Sequence, residues 1–258
     1  MWRSCAVAAG ALAIALPAFA EIAPATQPLT LPPFRPGPVM TFKAEDRVLQ
    51  TDTPTAPVGT GRSWTFDLQV LKAEPGGGAV VRYVLRSFES AGAYTKGDGF
   101  WSLVKDTPVE LDVGPDGTPR DIVNFDAIKG PFVARYPAES AKAGLYDAVL
   151  VWMAAMQGRG PLAPGRTTLP AAPAIDDFHH VTQTIDFDGV DAGLCQAKVG
   201  RTTARTIDRV GAPPIVDALT STAMVSTADG WLVSLDERTT GTLVIQHTVQ
   251  RTSAAGCR

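Results

Sequence analysis

The strongest constraint on this chain is a period of two that sets in at Arg62 and returns near the C-terminus. In SWTFDLQVL, Trp64, Phe66, Leu68 and Val70 fall on one side of an extended backbone, and Thr65, Asp67 and Gln69 on the other. After the turn Pro75-Gly76-Gly77-Gly78, AVVRYVLRSF alternates again, with Val81, Tyr83 and Leu85 set against Arg82 and Arg86. The pair reads as a hairpin with one dry face and one wet face. PVELDV, Gly114-Pro115-Asp116-Gly117 and TPRDIVNF repeat the arrangement, Asp-Gly supplying the positive φ of the reversal. Farther on, HHVTQTIDFD, CQAKVGRTTARTID and TSTAMVSTADGWLVSLDERTTGTLVIQHTVQR read as strands. Ala228-Asp229-Gly230 and Thr239-Thr240-Gly241 divide the last of these into an antiparallel meander.

The period changes in mid-chain. Phe125 to Tyr136 reads as a short helix broken before Pro137, and Ala138 to Gln157 as the main helix, ended by Gly158. On that helix Leu145, Val149, Trp152, Met153 and Met156 form one apolar stripe, and Leu150, Val151, Ala154 and Ala155 cover much of the rest. The run DAVLVWMAAMQ rises only about 16 Å as a helix, half of a hydrocarbon core, so it is expected to be buried rather than to span a membrane. Strands on both sides of a helical segment predict an α+β fold: a strongly curved antiparallel β-sheet, a half-barrel, packed around one or two helices. One side of the main helix meets the sheet. The other meets either the chain's own segments or an apolar ligand, for which Trp152 and the adaptable thioethers would suit.

Met1 to Ala20 has the make-up of a secretory signal peptide: Arg3, an apolar run from Ala6 to Leu16, then Ala18-Phe19-Ala20 before Glu21. Cleavage is expected after Ala20, with no cysteine following to take a lipid, which points to a periplasmic or secreted protein. Residues 21–61 read as a weakly ordered lead, marked by Pro24, Pro28, Pro32, Pro33, Pro36 and Pro38, serving as a spacer or as a strap for a partner or for the protein's own surface. Residues 62–258 read as a single domain. Loss of Cys5 with the signal leaves Cys195 and Cys257, expected to form a disulfide in an oxidising compartment.

Chemistry-bearing motifs are scarce. The sequence has no G-x-S-x-G, no Walker loop, no GxGxxG and no HExxH, and no catalytic residue, metal or cofactor is assigned. Asp176-Asp177-Phe178-His179-His180 is the one acidic and imidazole cluster. Adjacent histidines on a strand point to opposite faces, so it reads as a solvated strand start rather than a metal site. Arg201, Arg205 and Arg209 share one face if GRTTARTIDR is a strand. They would bind an anionic head group or else face acidic neighbours such as Asp236 or Glu237 across a sheet. A formal net charge of −3 argues against nucleic acid as a partner.

The paired hairpins with the Asp-Gly turn in VELDVGPDGTPRDIVNF, the intervening apolar helix and the closing meander TAMVSTADGWLVSLDERTTGTLVIQHTVQ together resemble exported bacterial proteins with a LolA/LolB-like half-barrel. That resemblance implies an antiparallel sheet wrapped around helices and, in the carrier members, lipid acyl chains held between them; it carries no site residues over. The resulting expectation is a soluble exported accessory protein of the cell envelope, holding a hydrophobic ligand such as a lipid acyl chain against Leu145, Val149, Trp152, Met153 and Met156. The alternative is a non-catalytic scaffold or interaction module with a self-filled core and an envelope protein as partner. A hydrolase of envelope components, built from distant residues, is the third reading.

Overall fold

The structure, a computed structural model, describes residues 22–51, 58–91, 98–153, 161–169, 179–209, 212–240 and 243–253. Among these residues twelve strands run in chain order as β1 (Ala23–Pro24), β2 (Met40–Thr51), β3 (Gly61–Ala73), β4 (Ala79–Ala91), β5 (Val109–Val113), β6 (Pro119–Ile122), β7 (Gly165–Thr168), β8 (His179–Asp191), β9 (Gln196–Arg209), β10 (Ala212–Ser226), β11 (Leu232–Thr239) and β12 (Leu243–Arg251). Four described helices, α1 (Asp98–Val104), α2 (Phe125–Ile128), α3 (Gly130–Val133) and α4 (Ala138–Met153), lie between β4 and β7. All twelve strands join one sheet, ordered β1-β8-β9-β10-β11-β12-β2-β3-β4-β5-β6, with β7 also pairing β8. Every named strand pair is antiparallel.

The alternation in β3 decides which face is dry. Trp64, Phe66, Leu68 and Val70 are buried while the residues between them are partly exposed. Register carries that face to Phe42 and Ala44 on β2, to Val81, Tyr83 and Leu85 on β4, and to Leu111 and Val113 on β5. These side chains and Phe132, Leu145 and Val149 from the helices make one core cluster. Phe42 and Phe66 stack within it at 5.3 Å. The inward residues of α4 are Ala141, Leu145, Ala148 and Val149, spaced as one helix face. Its docking is fixed at the sheet edge, where the Tyr146 hydroxyl donates to the Pro119 carbonyl and Lys142 pairs with Asp121 at 2.7 Å.

The same face of β8 and β9 is covered differently. Phe187, Ala197 and Val199 join Leu162 in a smaller cluster, against which Ala25 and Leu29 of the lead are packed. Leu29 and Leu162 exchange both backbone hydrogen bonds, at 3.0 and 2.8 Å. Farther along, Leu31 and Phe34 are buried, Phe34 edge-on to Trp231 at 5.5 Å. The prolines leave the lead extended, and it lies as a strap on the protein's own sheet.

Two sequence expectations are corrected. The fold is mostly β rather than α+β: strands make up 56% and helices 14% of the described residues, and the helices are set against one sheet that is not closed. The apolar run makes one helix conspicuous in the sequence, whereas the mass of the molecule is in polar, threonine-rich strands of up to 15 residues that bury little on their outer face. Residues 40–51, assigned to the proline-rich lead, form β2 between β12 and β3 in the middle of the sheet. Met40, Phe42, Ala44 and Val48 alternate there with Thr41, Lys43, Glu45 and Arg47, a strand pattern overshadowed by the six prolines just before it. The dipeptide Pro213-Pro214, another apparent breaker, is accommodated at an irregularity in the β9–β10 ladder between Ala212 and Ile215.

Candidate functional site

The strands β10, β11, β12 and β2 carry two polar constructions back to back. On the face away from the core lies a groove of about 730 Å³, lined by side chains that include Lys43, Glu45, Thr222, Asp236, Arg238 and Thr248. Register sorts its floor into transverse bands. Lys43, Gln250, Ser234 and Met224 stand side by side, then Glu45, Thr248, Asp236 and Thr222, then Arg47, Gln246, Arg238 and Thr220. The bands therefore read basic, acidic, basic along the strand direction, with hydroxyls and amides between the charges. Successive same-face residues in a strand are about 6.8 Å apart, so the charge alternates on that spacing. Lys43 and Glu45 pair at 2.7 Å and Arg47 reaches Glu45 at 3.0 Å. The hydrogen bond from Lys43 is the largest influence holding the Glu45 carboxyl below the usual glutamate range, and Arg47 adds to it against the opposing effect of burial. Asp236 accepts from the Gln246 amide at 3.0 Å.

The second construction is on the core face, one layer beyond the apolar cluster. Cross-strand neighbours form an unbroken row: Arg62 on β3, Asp46 on β2, His247 on β12, Glu237 on β11, Ser221 on β10 and Arg201 on β9. Asp46 lies 2.6 Å from the Nδ1 of His247 and 3.9 Å from a guanidinium nitrogen of Arg62. Arg62 also stands over the ring of Trp64 at 5.5 Å. His247 is only 9% exposed. Burial pushes the Glu237 carboxyl up from the ordinary glutamate value, His247 and Arg201 pull it back, and Asp46 adds to the rise. Burial likewise lowers Arg201, with Glu237 opposing. His247 and Ser221 are separated by the strand that carries Glu237, so the row is no serine triad.

The residues singled out in the sequence scatter over this frame. Leu145 and Val149 are buried in the main core, and Trp152 and Met153 lie on α4 with side chains outside the described set; Met156 falls outside the described residues. Arg201, Arg205 and Arg209 are all on β9. Only Arg201 has a described side chain, and it joins the row that contains Glu237, whereas Asp236 points to the groove. His179 and His180 open β8; Asp176 and Asp177 fall outside the described residues. Cys195, in the turn between β8 and β9, is disulfide-bonded, and its expected partner Cys257 lies outside the described residues. Nothing local marks Asp46, Arg62 and His247 in the sequence: β2 brings them together by pairing with β3 on one side and with β12 on the other. Lys43 falls in the span read from the sequence as the proline-rich lead, and nothing local marks Arg238.

Among the described residues no helix is long and apolar enough to cross a membrane, and no group of three or more His, Cys, Asp or Glu is placed to hold a metal ion. No protein-family model matches the sequence, and no curated protein matches it.

Proposed function

We propose that the protein is a non-catalytic binding module exported to the cell envelope, and that its outer-face groove takes an extended segment of a partner protein. The observation that carries this reading is the banded floor of the groove. An extended polypeptide lying along the strands presents same-face side chains at the spacing of the bands, so acidic, basic and acidic side chains in turn would meet Lys43, Glu45 with Asp236, and Arg47 with Arg238. The hydroxyls of Thr222, Ser234 and Thr248 and the Gln250 amide would serve its remaining polar groups. The lining is too polar for an acyl chain, and its mixed charges do not favour a polyanion. The leader-like segment Met1–Ala20 supports export. On the core face, the described inward side chains of α4 are met by the protein's own sheet, which favours a self-filled interior over a lipid held beside the helix.

Site-specific photocrosslinking in the producing cell tests the reading. A photoreactive residue at Thr222 or at Thr248 should yield one adduct of common mass, and the same residue at Glu89, exposed on β4, should yield none. Glu45→Lys combined with Asp236→Lys should abolish the adduct. Absence of any adduct from the groove, or an identical adduct from Glu89, would remove the proposal.

A further inference from the structure

We propose that the charged row behind the groove is a proton-responsive element that adjusts the groove floor. The proposal deepens the binding reading and takes its purpose from it, while its test uses the free protein alone. Four of the six members of the row each sit between two residues of the floor bands in their own strand. Asp46 lies between Glu45 and Arg47, Glu237 between Asp236 and Arg238, Ser221 between Thr220 and Thr222, and His247 between Gln246 and Thr248. Row and floor side chains alternate along the same strands and share one backbone, so a displacement of that backbone under the row is passed to the floor.

The charges that face one another are Arg62 from β3, Asp46 from β2, His247 from β12, Glu237 from β11 and Arg201 from β9, with the neutral Ser221 from β10 between the last two. With the imidazole neutral and both carboxylates ionised, two positive and two negative charges cancel. One proton added to the Glu237 carboxylate makes the row +1. In a half-buried layer these charge states are far from equivalent, because water screens them poorly. The upward displacement of Glu237, caused first by burial, moves this exchange toward neutral pH. The hydrogen bond between Asp46 and the Nδ1 edge of His247 fixes the imidazole within the row.

An NMR titration of the free full chain tests this, following the Glu237 side-chain carboxyl carbon, the His247 ring and the backbone amides of Thr222 and Thr248. The expected result is a Glu237 midpoint above the ordinary glutamate range, with an inflection at that midpoint in the His247 ring shifts and in both floor amides. Glu237→Gln should erase the shared inflection from His247 and from the amides. A Glu237 midpoint in the ordinary range, or floor amides indifferent to it, would overturn the proposal, and the parent titration alone suffices for that outcome should the variant not fold. Crosslinking from Thr222 and Thr248 would stand whatever this titration gives, so failure here and failure of the binding reading are separate outcomes.

Discussion

Glu237 shows at the scale of one residue how position in a sheet changes the meaning of a charge. Its strand neighbours Asp236 and Arg238 are exposed to water, whereas Glu237 faces inward and is penalised when ionised. A folded-state pKa above the unfolded value means that the fold binds this proton more tightly than the unfolded chain does. The associated stability is complete below the unfolded glutamate value of about 4.3 and is lost as pH rises through the higher folded value. Glu237→Gln, which keeps the shape and removes the titration, should therefore flatten the decline in the urea midpoint between about pH 4.3 and neutrality. It should leave the variant at least as stable as the parent at neutral pH. Urea denaturation across that range decides the matter: a parent whose stability rises through the interval would show that the pull of Arg201 and His247 outweighs burial. None of this is legible in the linear order, since Glu237 is one of several charges in SLDERTT and only the register of β11 with β12 sets it opposite His247.

At the scale of elements, local pattern and tertiary context are legible to different degrees. The hairpins β3–β4 and β5–β6 follow from alternation and from turn residues, with Gly77 and Gly117 both at φ 86 where the reversals need them. The main helix is legible from its stripe, and Leu145 is fully buried as that stripe requires. Helix α1 is not, because Asp98–Val104 has too few turns to show a period; it is held by contacts, Trp101 stacking on Phe88 at 5.2 Å and Phe100 packing against Phe132 and Tyr136. Close packing of α1 on α4 also explains Gly144, where a Cβ would stand 2.8 Å from the Phe100 ring. Truncating Leu145→Ala should cost about 2–5 kcal/mol, the usual range for a cavity in a sealed core. The exposed Glu139→Ala on the same helix should cost less than about 0.5 kcal/mol. Thermal or urea unfolding of the two variants checks the claim that α4 is anchored by its inward stripe, which equal losses would refute.

The whole molecule is joined by a pairing that no local rule reveals: β12, the last described strand, lies between β11 and β2, so residues 243–251 are set against residues 42–51 in the centre of the sheet. This seam joins the meander β8–β12 to the meander β2–β6, and both the groove and the charged row straddle it. Contacts of such long sequence separation add loop-closure entropy before they return any energy, so folding is expected to be slow for the protein's size. The two ends of the described chain nevertheless have unequal weight. Deleting residues 243–251 removes the strand that carries Val249 and Arg251 and leaves the edges of β11 and β2 unpaired, and no folded protein is expected. Deleting residues 22–36 removes the strap and, with Phe34, one margin of the main cluster, uncovering Phe187 and Val199 and the ring of Trp231 while the part of that cluster on β2–β5 keeps its helices. That shortened protein should retain near-ultraviolet circular dichroism from Trp64 and Tyr83, bind a hydrophobic dye that the parent does not, and unfold at lower urea. If the strap deletion abolishes the aromatic signal as completely as loss of β12 does, the small cluster is no satellite of the main one, and the sheet folds as a single indivisible unit.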